Sequence, residues 1–435
     1  MTLHLGVATR PITPPVGGYL YGYPNPPRST AVHDELTVTA AYFCEGKTQA
    51  FLLSFTICSL ATSLCERLGA LIEAETGVPR TAVLLHATHT HSGPSTTDSA
   101  GWGTADTAYI EEILIPAAVA AAREAAANPR PARMAVATGE SYVGINRREI
   151  RDGVAHLGQQ PGAPYDPTMT VIGFFGDDDG PLLTAVHYGA HCTASGKNSE
   201  ITRDWPGVML DALAAETGAP ALFLQGPEGD VGPRMPSGKT IGEASAEDAV
   251  AIGKIAARDA LAIYDTLGTP HAVPLSVSHT VLALPLAARP TRKEAHAAIA
   301  RYEGATAGVE AKTVDYYRRV LASYEEGYRE KESVPLPQSL LRLGDVVLVP
   351  FPYELFSAIG LAIKEGSPFR HTLSLSLTNG RGCYFVTEEA IPYGGYEVTM
   401  FLLENVQHYT PHIDRTLAEL TLGHLDVLKI KLDIS

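Results

Sequence analysis

Strand-like hydrophobic patterns recur along most of the chain. The runs at 36–46 (LTVTAAYFCEG) and 48–58 (TQAFLLSFTIC) are rich in β-branched and aromatic residues and flank a Glu45-Gly46 turn, which predicts a β-hairpin. The apolar run at 81–89 (TAVLLHATH) has the length of a strand and predicts a buried one. Similar runs predict strands at ARMAVATGESYV, MTVIGFFG, LLTAVHYGA, PALFLQ, PLSVSHTVLALPL, DVVLVP and HTLSLSLTNG.

Helical spacing alternates with these strands. CERLGALIEAETGVP has apolar residues at helical intervals and ends at Gly77, with Pro79 beyond it. TAYIEEILIPAAVAAAREAAANP predicts a long alanine-rich helix that is kinked at Pro116. Further helices are predicted at WPGVMLDALAAETG, SAEDAVAIGKIAARDALAIYDTL, residues 291–330 and the closing segment YEVTMFLLENVQHYTPHIDRTLAELTLG. Because strands and helices are mixed over the whole length, we predict an α/β fold, with α+β as the alternative, in which helices flank a mixed β-sheet core.

Neither a fixed-period repeat nor a low-complexity linker divides the chain, so we expect a single domain over residues 1–435. Hydrophobic residues make up 45% of the sequence and charged residues 19%, which is typical of a globular protein. The 48 acidic against 33 basic residues give a net charge of −15, which argues against a nucleic-acid partner.

The cysteines and the N-terminal sequence bear on the compartment. The five cysteines are scattered and form no CxxC pair, which argues against a disulfide framework and against a thiolate zinc site. The start, MTLHLGVATRPITPP, lacks the pattern of a signal peptide, and no apolar run reaches the roughly 18 residues of a membrane helix. We therefore expect a cytoplasmic protein without a transmembrane segment.

The segment LLHATHTHSGPS, residues 84–95, contains His86, His89 and His91. On an extended strand, the spacing of two would point His89 and His91 to one face and His86 to the other. The carboxyl ends of strands are common ligand sites in α/β sheets, although a catalytic zinc usually needs three protein ligands and a water. Polar loop residues satisfied by backbone hydrogen bonds are the alternative, but three histidines in six positions favour a functional role, with His86 as a structural residue.

A second histidine cluster, AVHYGAHCTASG, also follows an apolar run. His187 is expected to pack within the strand, whereas His191 is a candidate metal ligand because neutral imidazole suits zinc well. Two such clusters can converge on one ion. Cys192 is expected to be a small buried residue, or else an alternative ligand, and the same alternatives hold for Cys383.

Three acidic residues in loops remain open between two interpretations. GPEGDVGP at 226–233 is not a phosphate-binding loop, since no Lys-Ser/Thr follows its glycines. Glu228 and Asp230 are either ligands or hydrogen-bond acceptors near a site, or solvated residues of a tight turn. Asp204 either accepts a hydrogen bond from a metal-bound histidine or caps the following helix.

Seven short segments carry a resemblance to a known family. They are GVATRPITPPVGGYLYGY, ATHTHSGP, GINRRE, AHCTASG, GPEGDVGPR, VPFPYELF and GCYFVTEEAIPYGGYE. In this order they resemble motifs of the neutral ceramidases, the zinc-dependent amidases that cleave the N-acyl bond of ceramide, and ATHTHSGP is the most specific of them. The resemblance spans most of the chain and implies a ceramidase-like catalytic domain.

The resemblance implies one Zn²⁺ per chain, held by His89, His191, Glu354 and Tyr384. Two histidines and a carboxylate are a recurrent ligand set of hydrolytic zinc sites, whereas a tyrosine ligand is less usual. Zinc lowers the pKa of a bound water to roughly 7 and polarises a carbonyl group. Glu354 is also expected to orient the attacking water.

Three further residues match positions of the family that act on the substrate. The resemblance implies that His91 faces the reacting carbonyl, that Arg147 contacts the polar head of the substrate, and that Tyr396 stabilises the oxyanion. Tyr393 takes the role of Tyr396 if the loop is aligned differently. A well-placed donor of this kind contributes roughly 3 kcal/mol of transition-state stabilisation.

The sequence also departs from the family pattern. Gly232 stands where the family's Gly-Asp-Val-Ser-Pro loop has serine, so a serine nucleophile is not available there. The C-terminal β-sandwich and the secretion signal that family members often carry are not recognised either. These departures weaken the case for ceramide itself more than the case for amide hydrolysis.

The sequence therefore predicts a zinc-dependent hydrolase that cleaves the linear N-acyl bond of a small-molecule or lipid-like amide. One alternative is an esterase or cyclic-amide hydrolase that uses the same site. Another is a metal-dependent binding protein without turnover. A serine hydrolase is disfavoured by Gly232 and by the absence of a GxSxG motif.

Overall fold

The computed structural model describes residues 2–236, 239 and 243–434. The α-helices within those residues are α1 Thr62–Thr76, α2 Thr107–Tyr109, α3 Ile115–Ala127, α4 Asp204–Thr217, α5 Ala246–Tyr264, α6 Arg292–Arg301, α7 Gly308–Glu325, α8 Ser357–Gly366, α9 Tyr396–Leu402 and α10 Ile413–Ile434. The strands are β1 His4–Pro11, β2 Ala31–Val32, β3 Thr37–Glu45, β4 Thr48–Phe55, β5 Val83–Ala87, β6 Arg130–Pro131, β7 Arg133–Glu140, β8 Gly144–Asn146, β9 Arg148–Arg151, β10 Val154–Leu157, β11 Thr168–Phe175, β12 Pro181–Tyr188, β13 Glu200–Ile201, β14 Ala221–Gln225, β15 Val231–Pro233, β16 Leu275–Pro285, β17 Ser333–Leu343, β18 Val346–Pro350, β19 Glu354–Leu355, β20 His371–Leu375 and β21 Tyr384–Phe385.

Three larger sheets organise the described residues. Their strand orders are β5-β4-β3-β1-β6, β14-β12-β11-β7 and β16-β17-β18-β20. Each sheet is mixed, because the pairs β4–β5, β12–β14 and β18–β20 are parallel, while the other neighbours are antiparallel. The predicted α/β class with mixed strands and flanking helices is confirmed, but the described residues form three larger sheets and four two-stranded ones rather than one central sheet.

Helices cover each sheet with apolar side chains. In the first sheet, Leu53 of β4 and Ala118 of α3 belong to one buried cluster. Trp205 of α4 is buried in the cluster of the second sheet, and Ile363 of α8 in that of the third. Within the described residues, none of the helices is both long enough and apolar enough to cross a lipid bilayer.

The predicted hairpin and the predicted buried strand adjoin one another. β3 and β4 pair antiparallel from Val38↔Phe55 to Glu45↔Thr48, around the expected turn. β5 then runs parallel to β4, and all five of its residues are buried. Because β4 and β5 are parallel, their carboxyl ends lie at the same end of the first sheet. The histidine-rich segment begins there, directly after β5.

One long strand, β17, was missing from the prediction. Its sequence, SVPLPQSLLRL, contains Pro335 and Pro337, which ordinarily argue against a strand because proline cannot donate a ladder hydrogen bond. β17 pairs with β16 along its whole length but with β18 only through residues 341–343. Both prolines therefore lie where one side of the strand has no partner strand.

The closing segment is not the continuous helical pattern that its spacing predicts. α9 ends at Leu402, and α10 begins only at Ile413. Pro411 in the intervening loop lacks the N–H that a continuous helix requires there. In addition, the side-chain amide Nε2 of Gln407 donates to the backbone carbonyls of Ala287 and Lys331, which holds the loop against another part of the chain.

The helix predicted to kink at Pro116 contains a π-helical turn. α2 continues into a π-helix at Ile110–Leu114, and α3 begins at Ile115. Because Pro116 cannot donate an i→i−4 hydrogen bond, the wider turn immediately before it accommodates the proline while the helical path continues.

His86 joins two sheets, as expected of a structural residue. Its Nδ1 lies 2.9 Å from Oγ1 of Thr378, and its Nε2 accepts a hydrogen bond of 2.8 Å from the Gln225 backbone N–H at the end of β14. The side chain is completely buried. Burial, together with the proximity of His187, lowers the pKa of His86 to about 3, so the imidazole is neutral in the folded protein.

We expect His86 to make the fold acid-sensitive. The folded-state pKa of His86 lies below the ordinary histidine value of about 6.5. In the unfolded chain His86 is therefore protonated below about pH 6.5, whereas in the folded chain it is protonated only below about pH 3. Stability is therefore fully present above pH 6.5 and is lost as the pH falls through that window, by up to about 2 kcal/mol between pH 7 and pH 5.

Urea unfolding of the wild-type chain and of His86→Gln at pH 7 and pH 5 measures this effect. Since glutamine has no proton to gain, the pH-dependent loss of unfolding free energy should be smaller in the variant. An equal loss in both proteins would show that other groups cause the acid sensitivity.

Candidate active site

His89 lies in the loop after β5, which ends at Ala87. The backbone here is not the expected extended strand, because His89 has a left-handed conformation with φ of 76°, but the imidazoles of His89 and His91 do face the same pocket. This conformation brings the His89 Nδ1 to 2.9 Å from the Cys58 carbonyl oxygen. A ring nitrogen facing a carbonyl must carry a proton, so in the neutral imidazole of His89 the other nitrogen, Nε2, bears the lone pair.

His191 lies in the loop after β12 and is held in the same manner. Its Nδ1 lies 2.8 Å from the Glu228 carbonyl oxygen and 3.1 Å from that of Val231, which again leaves a lone pair on Nε2. The two histidine loops are joined, since Thr90 and Cys192 form a parallel β-bridge and the His91 N–H donates to the Cys192 carbonyl.

Glu354 reaches the two imidazoles from the third sheet's side of the molecule. It lies in β19, whose parallel partner β21 sets Glu354 directly opposite Tyr384. Its Oε2 is 3.2 Å from Nε2 of His191 and 3.4 Å from Nε2 of His89. All three side chains are buried, and their ligand atoms lie within 4.8 Å of one another. The structure thus brings together three of the four residues predicted to bind the metal.

The donor atoms suit a single divalent cation. Two ligands at the usual zinc bond lengths of 2.0–2.1 Å stand about 3.3 Å apart in a tetrahedron, close to the separations between Glu354 and the two histidines. Two imidazole nitrogens and a carboxylate oxygen converge on one point, where a positive charge stabilises them, supplied either by a proton on His89 or by a metal cation. The backbone carbonyls that fix both Nδ1 atoms are the outer-shell partners that metal-binding histidines usually have.

The charge states of these groups agree with such a site. Burial and the charge of Arg147 lower the pKa of His191 to about 3, so its imidazole is neutral, as a ligand requires. Burial alone would raise the pKa of Glu354, but His89 and His191 hold it well below its usual range. Burial opposes protonation of His89, yet Cys58 and Glu354 raise its pKa well above the ordinary value, so His89 holds a proton when no cation is bound, and a metal ion must displace that proton.

Tyr384 faces the same pocket and is held by a buried arginine. Its phenol oxygen accepts a 2.9 Å hydrogen bond from Nη2 of Arg147, and its ring stacks on His191 with centroids 6.3 Å apart. The Arg147 Nε donates to Glu397 at 2.9 Å, and Arg148 donates to the other oxygen of Glu397 at 2.7 Å. Arg147 is 4% exposed, so in this structure its guanidinium orients Tyr384, and contact with substrate remains a prediction.

His91 and Tyr396 line the space in front of the converging ligands. His91 has its Nε2 3.2 Å from that of His89, and its Nδ1 makes no hydrogen bond within the described residues. Gly22, with φ of 122°, passes so close that a Cβ there would lie 2.3 Å from the His91 ring. The Tyr396 ring lies 5.6 Å from that of Tyr384.

Tyr396 and Tyr393 differ in their surroundings. Tyr396 borders a pocket of about 30 Å³ together with His89, His91 and Glu354, whereas Tyr393 is 46% exposed and is not among the residues that line it. Burial raises the pKa of Tyr396 well above its usual value, so its phenol keeps its proton and can donate a hydrogen bond at neutral pH. This placement favours Tyr396 over Tyr393 as the active-site tyrosine.

The three acidic residues left open by the sequence take supporting positions. The Glu228 backbone carbonyl holds His191, while its side chain is fully buried with both oxygens lacking a hydrogen-bond partner among the described residues, and burial raises its pKa to about 8. Asp230 accepts from the backbone N–H and the hydroxyl of Ser357. Asp204 does not contact the imidazole of His191. Its carboxylate accepts from the backbone of the loop at 194–195, directly after the histidine.

Sequence reasoning missed two residues of the site. The Cys58 Sγ lies 3.4 Å from Nδ1 of His89, and Cys58, His89 and His91 form a second group whose atoms are close enough to hold a metal. The sequence could have indicated Cys58, because Cys58 lies just after β4 and His89 lies just after β5, and the ends of these two parallel strands are close together. Nothing in the sequence indicated Glu397, next to Tyr396, since only the fold brings the two arginines to it.

Cys192, the possible alternative ligand, points away from the site, and its thiol donates a hydrogen bond to the Thr88 carbonyl.

Comparisons with known proteins identify the fold. No protein-family model and no curated protein sequence matches the chain. The crystal structure of neutral ceramidase from Pseudomonas aeruginosa is similar with a TM-score of 0.75 and 18% sequence identity, over 99% of this chain and 75% of that one. A structure described as ceramidase complexed with C2 gives a TM-score of 0.73 and 17% identity, over 99% and 76% of the two chains. The resemblance predicted from seven short motifs is therefore confirmed at the level of tertiary structure, and the chain has the fold of the neutral ceramidases.

Proposed function

We propose that this protein is a zinc-dependent amidase that cleaves a linear N-acyl bond with a metal-activated water. The observation that carries the proposal is the convergence of His89, His191 and Glu354 on one point, with both Nδ1 atoms already engaged by backbone carbonyls. A site of this composition in a ceramidase fold favours hydrolysis over binding alone. When bound, zinc supplies a water of pKa near 7 and a Lewis acid for the scissile carbonyl.

The residues around the ligands provide the other parts of an amidase. His91 and Tyr396 border the pocket beside the ligands, where a hydrogen-bond donor can stabilise the negative charge that develops on the carbonyl oxygen. Arg147 donates to the Tyr384 phenol, whose ring stacks on His191, and this position beside His191 supports Tyr384 as the fourth ligand. Glu354 is the nearest carboxylate to both imidazoles and serves as a ligand that also orients water.

Metal removal is the first test. We expect dialysis against a chelator to abolish hydrolysis of a panel of N-acyl amines, and one equivalent of Zn²⁺ per chain to restore it. The same preparation should be assayed on matched esters and cyclic amides, which separates the amidase from the two related hydrolases. Full activity of metal-free protein, or labelling by a fluorophosphonate, would overturn the proposal. Stoichiometric zinc without turnover of any substrate would indicate a binding protein.

Tyr396→Phe tests the oxyanion role separately. Because the change removes one hydroxyl and no apolar contact, we expect kcat to fall by roughly 10²-fold or more while zinc content and the unfolding midpoint stay unchanged. Tyr393→Phe is the matched control, since Tyr393 is exposed, and it should retain wild-type kcat. The assignment is wrong if the two variants behave alike.

A further inference from the structure

Arg381 lies between two cavities of different size. The smaller, of about 30 Å³, is the one bordered by the ligands His89 and Glu354. The larger has a volume of about 460 Å³, within the usual range of 300–1,000 Å³ for small-molecule sites. Arg381 is common to the linings of both cavities, so its side chain stands at the boundary between the proposed metal site and the larger cavity.

The backbone around Arg381 is tightly held. A Cβ on Gly380 would lie 2.8 Å from Oγ1 of Thr62, and one on Gly382 would lie 2.3 Å from the ring of Tyr353. The glycines on either side let the chain pass close to both neighbours, and the Arg381 N–H donates to Thr62 Oγ1 at 3.3 Å. The backbone of Arg381, and with it the start of its side chain, is therefore held in a fixed position relative to the proposed metal site.

The guanidinium of Arg381 has no hydrogen bond or ion pair with any residue in the described part of the chain. It contrasts with Arg147 and Arg148, which share the Glu397 carboxylate. The ring of Tyr21 lies 5.9 Å from Cζ of Arg381, at the edge of cation–π distance. This contact leaves all the N–H donors of the guanidinium available.

Neighbouring acids do not neutralise Arg381. Glu404 also borders the larger cavity, but its carboxylate is 3.7 Å from Nζ of Lys312. Glu354 belongs to the proposed metal site. Burial lowers the pKa of Arg381, and the interactions with Tyr21, Glu404 and Glu354 more than reverse this, so the guanidinium stays positively charged.

We propose that Arg381 binds a carboxylate of the substrate, which makes the substrate an anionic linear amide rather than a neutral lipid amide. The inference rests on the proposed function, since it concerns the substrate of the same site. A planar guanidinium with its donors free recognises a carboxylate by two parallel hydrogen bonds. The remainder of the substrate occupies the larger cavity, whose lining includes the apolar residues Val334 and Leu336.

Two substrate pairs test the inference and show which half of the amide bears the charge. N-Octanoylglycine against N-octanoylethanolamine tests a carboxylate on the amine half. The N-ethyl monoamide of octanedioic acid against N-ethyloctanamide tests one on the acyl half. For the zinc-loaded wild-type enzyme, we expect kcat/KM to be on the order of 10- to 100-fold higher for the anionic member of one pair.

Substitutions at Arg381 then assign the preference. We expect Arg381→Gln to lower kcat/KM for the anionic substrate by the same factor and to leave the neutral member within about threefold, whereas Arg381→Lys retains part of the preference. Activity on the neutral substrate and the zinc content show that the variant is folded. Arg301→Gln is the matched control, because Arg301 is an exposed arginine whose Cζ lies 5.2 Å from the Tyr302 ring, and it should behave as wild type.

The outcomes separate this inference from the proposed function. Equal hydrolysis of both members of each pair by the wild-type enzyme, or an equal loss on both in Arg381→Gln, overturns the role of Arg381 and leaves the amidase intact. No turnover of any amide by zinc-loaded wild-type enzyme overturns the amidase itself. A preference for an anionic substrate that disappears only in the Arg381 variants bears out the inference.

Discussion

Replacing His191 with alanine is expected to remove both bound zinc and amide hydrolysis. The His191 side chain is completely buried, and its Nε2 is one of the two imidazole lone pairs that face Glu354. Alanine offers no donor atom, and the carbonyls of Glu228 and Val231 that hold the imidazole lose their partner. We expect kcat/KM to fall by about 10³-fold or more, which corresponds to at least about 4 kcal/mol of transition-state stabilisation.

The measurement combines metal analysis with kinetics. The variant should contain much less than one zinc per chain after equilibration at micromolar zinc, while circular dichroism shows the wild-type secondary structure. His187→Gln is the control, because His187 is a buried histidine four positions earlier whose Nε2 bonds to the Ser374 carbonyl and does not enter the ligand group. Retention of stoichiometric zinc and of activity by His191→Ala would remove the basis of the proposed metal site.

Replacing Glu397 with glutamine is expected to be the most destabilising of these substitutions. One carboxylate, 2% exposed, accepts from Nε of Arg147 and Nη1 of Arg148, which are themselves buried. Loss of its charge leaves two buried guanidinium groups without their counter-ion. Breaking a buried ion pair in this way typically costs about 3–5 kcal/mol of unfolding free energy.

Urea denaturation measures this loss of unfolding free energy, and zinc affinity gives a second readout. Since Arg147 also bonds to Tyr384, we expect the loss of Glu397 to disturb the Tyr384 phenol and so to lower zinc affinity in the protein that remains folded. Glu111→Gln is the matched control, because Glu111 forms a two-point pair with Arg67 at 2.5 and 2.7 Å on the surface, where solvent screens the charges. A change in stability no greater than in the control would contradict the role assigned to Glu397.

Local patterns predicted most of the larger elements. The hairpin of β3 and β4, the buried strand β5 and the helices α1, α4 and α5 follow from period-two and helical spacing, because these periodicities reflect which face of a single element is buried. The pattern failed where a neighbour overrides local preference. β17 tolerates two prolines because one side of it has no partner over most of its length, and the break between α9 and α10 depends on contacts that Gln407 makes with distant carbonyls.

The candidate site was predictable as a set of residues but not as a geometry. The density of histidines at two strand ends singled out His89 and His191, and the family resemblance added Glu354. The backbone conformation of His89 was mispredicted, since a left-handed residue of this kind is stabilised by the Ile57 and Cys58 carbonyls that receive its N–H and its Nδ1–H. The role of Arg147 at the substrate stays a prediction, and its hydrogen bonds to Glu397 and Tyr384 could not be predicted from the sequence because both residues are far from Arg147 in the chain.

The sequence by itself determined the local elements, the acidic charge and the donor types available for a metal, because these depend on residues that are close in the chain. Only the tertiary structure decided which donors share one point. His191 and Glu354 are 163 positions apart, and their meeting depends on the pairing of Thr90 with Cys192 and of Glu354 with Tyr384. It also decided that, among the residues that the structure describes, none forms an ion pair with Arg381 between the two cavities, since a missing partner depends on the whole packed fold and not on any single segment.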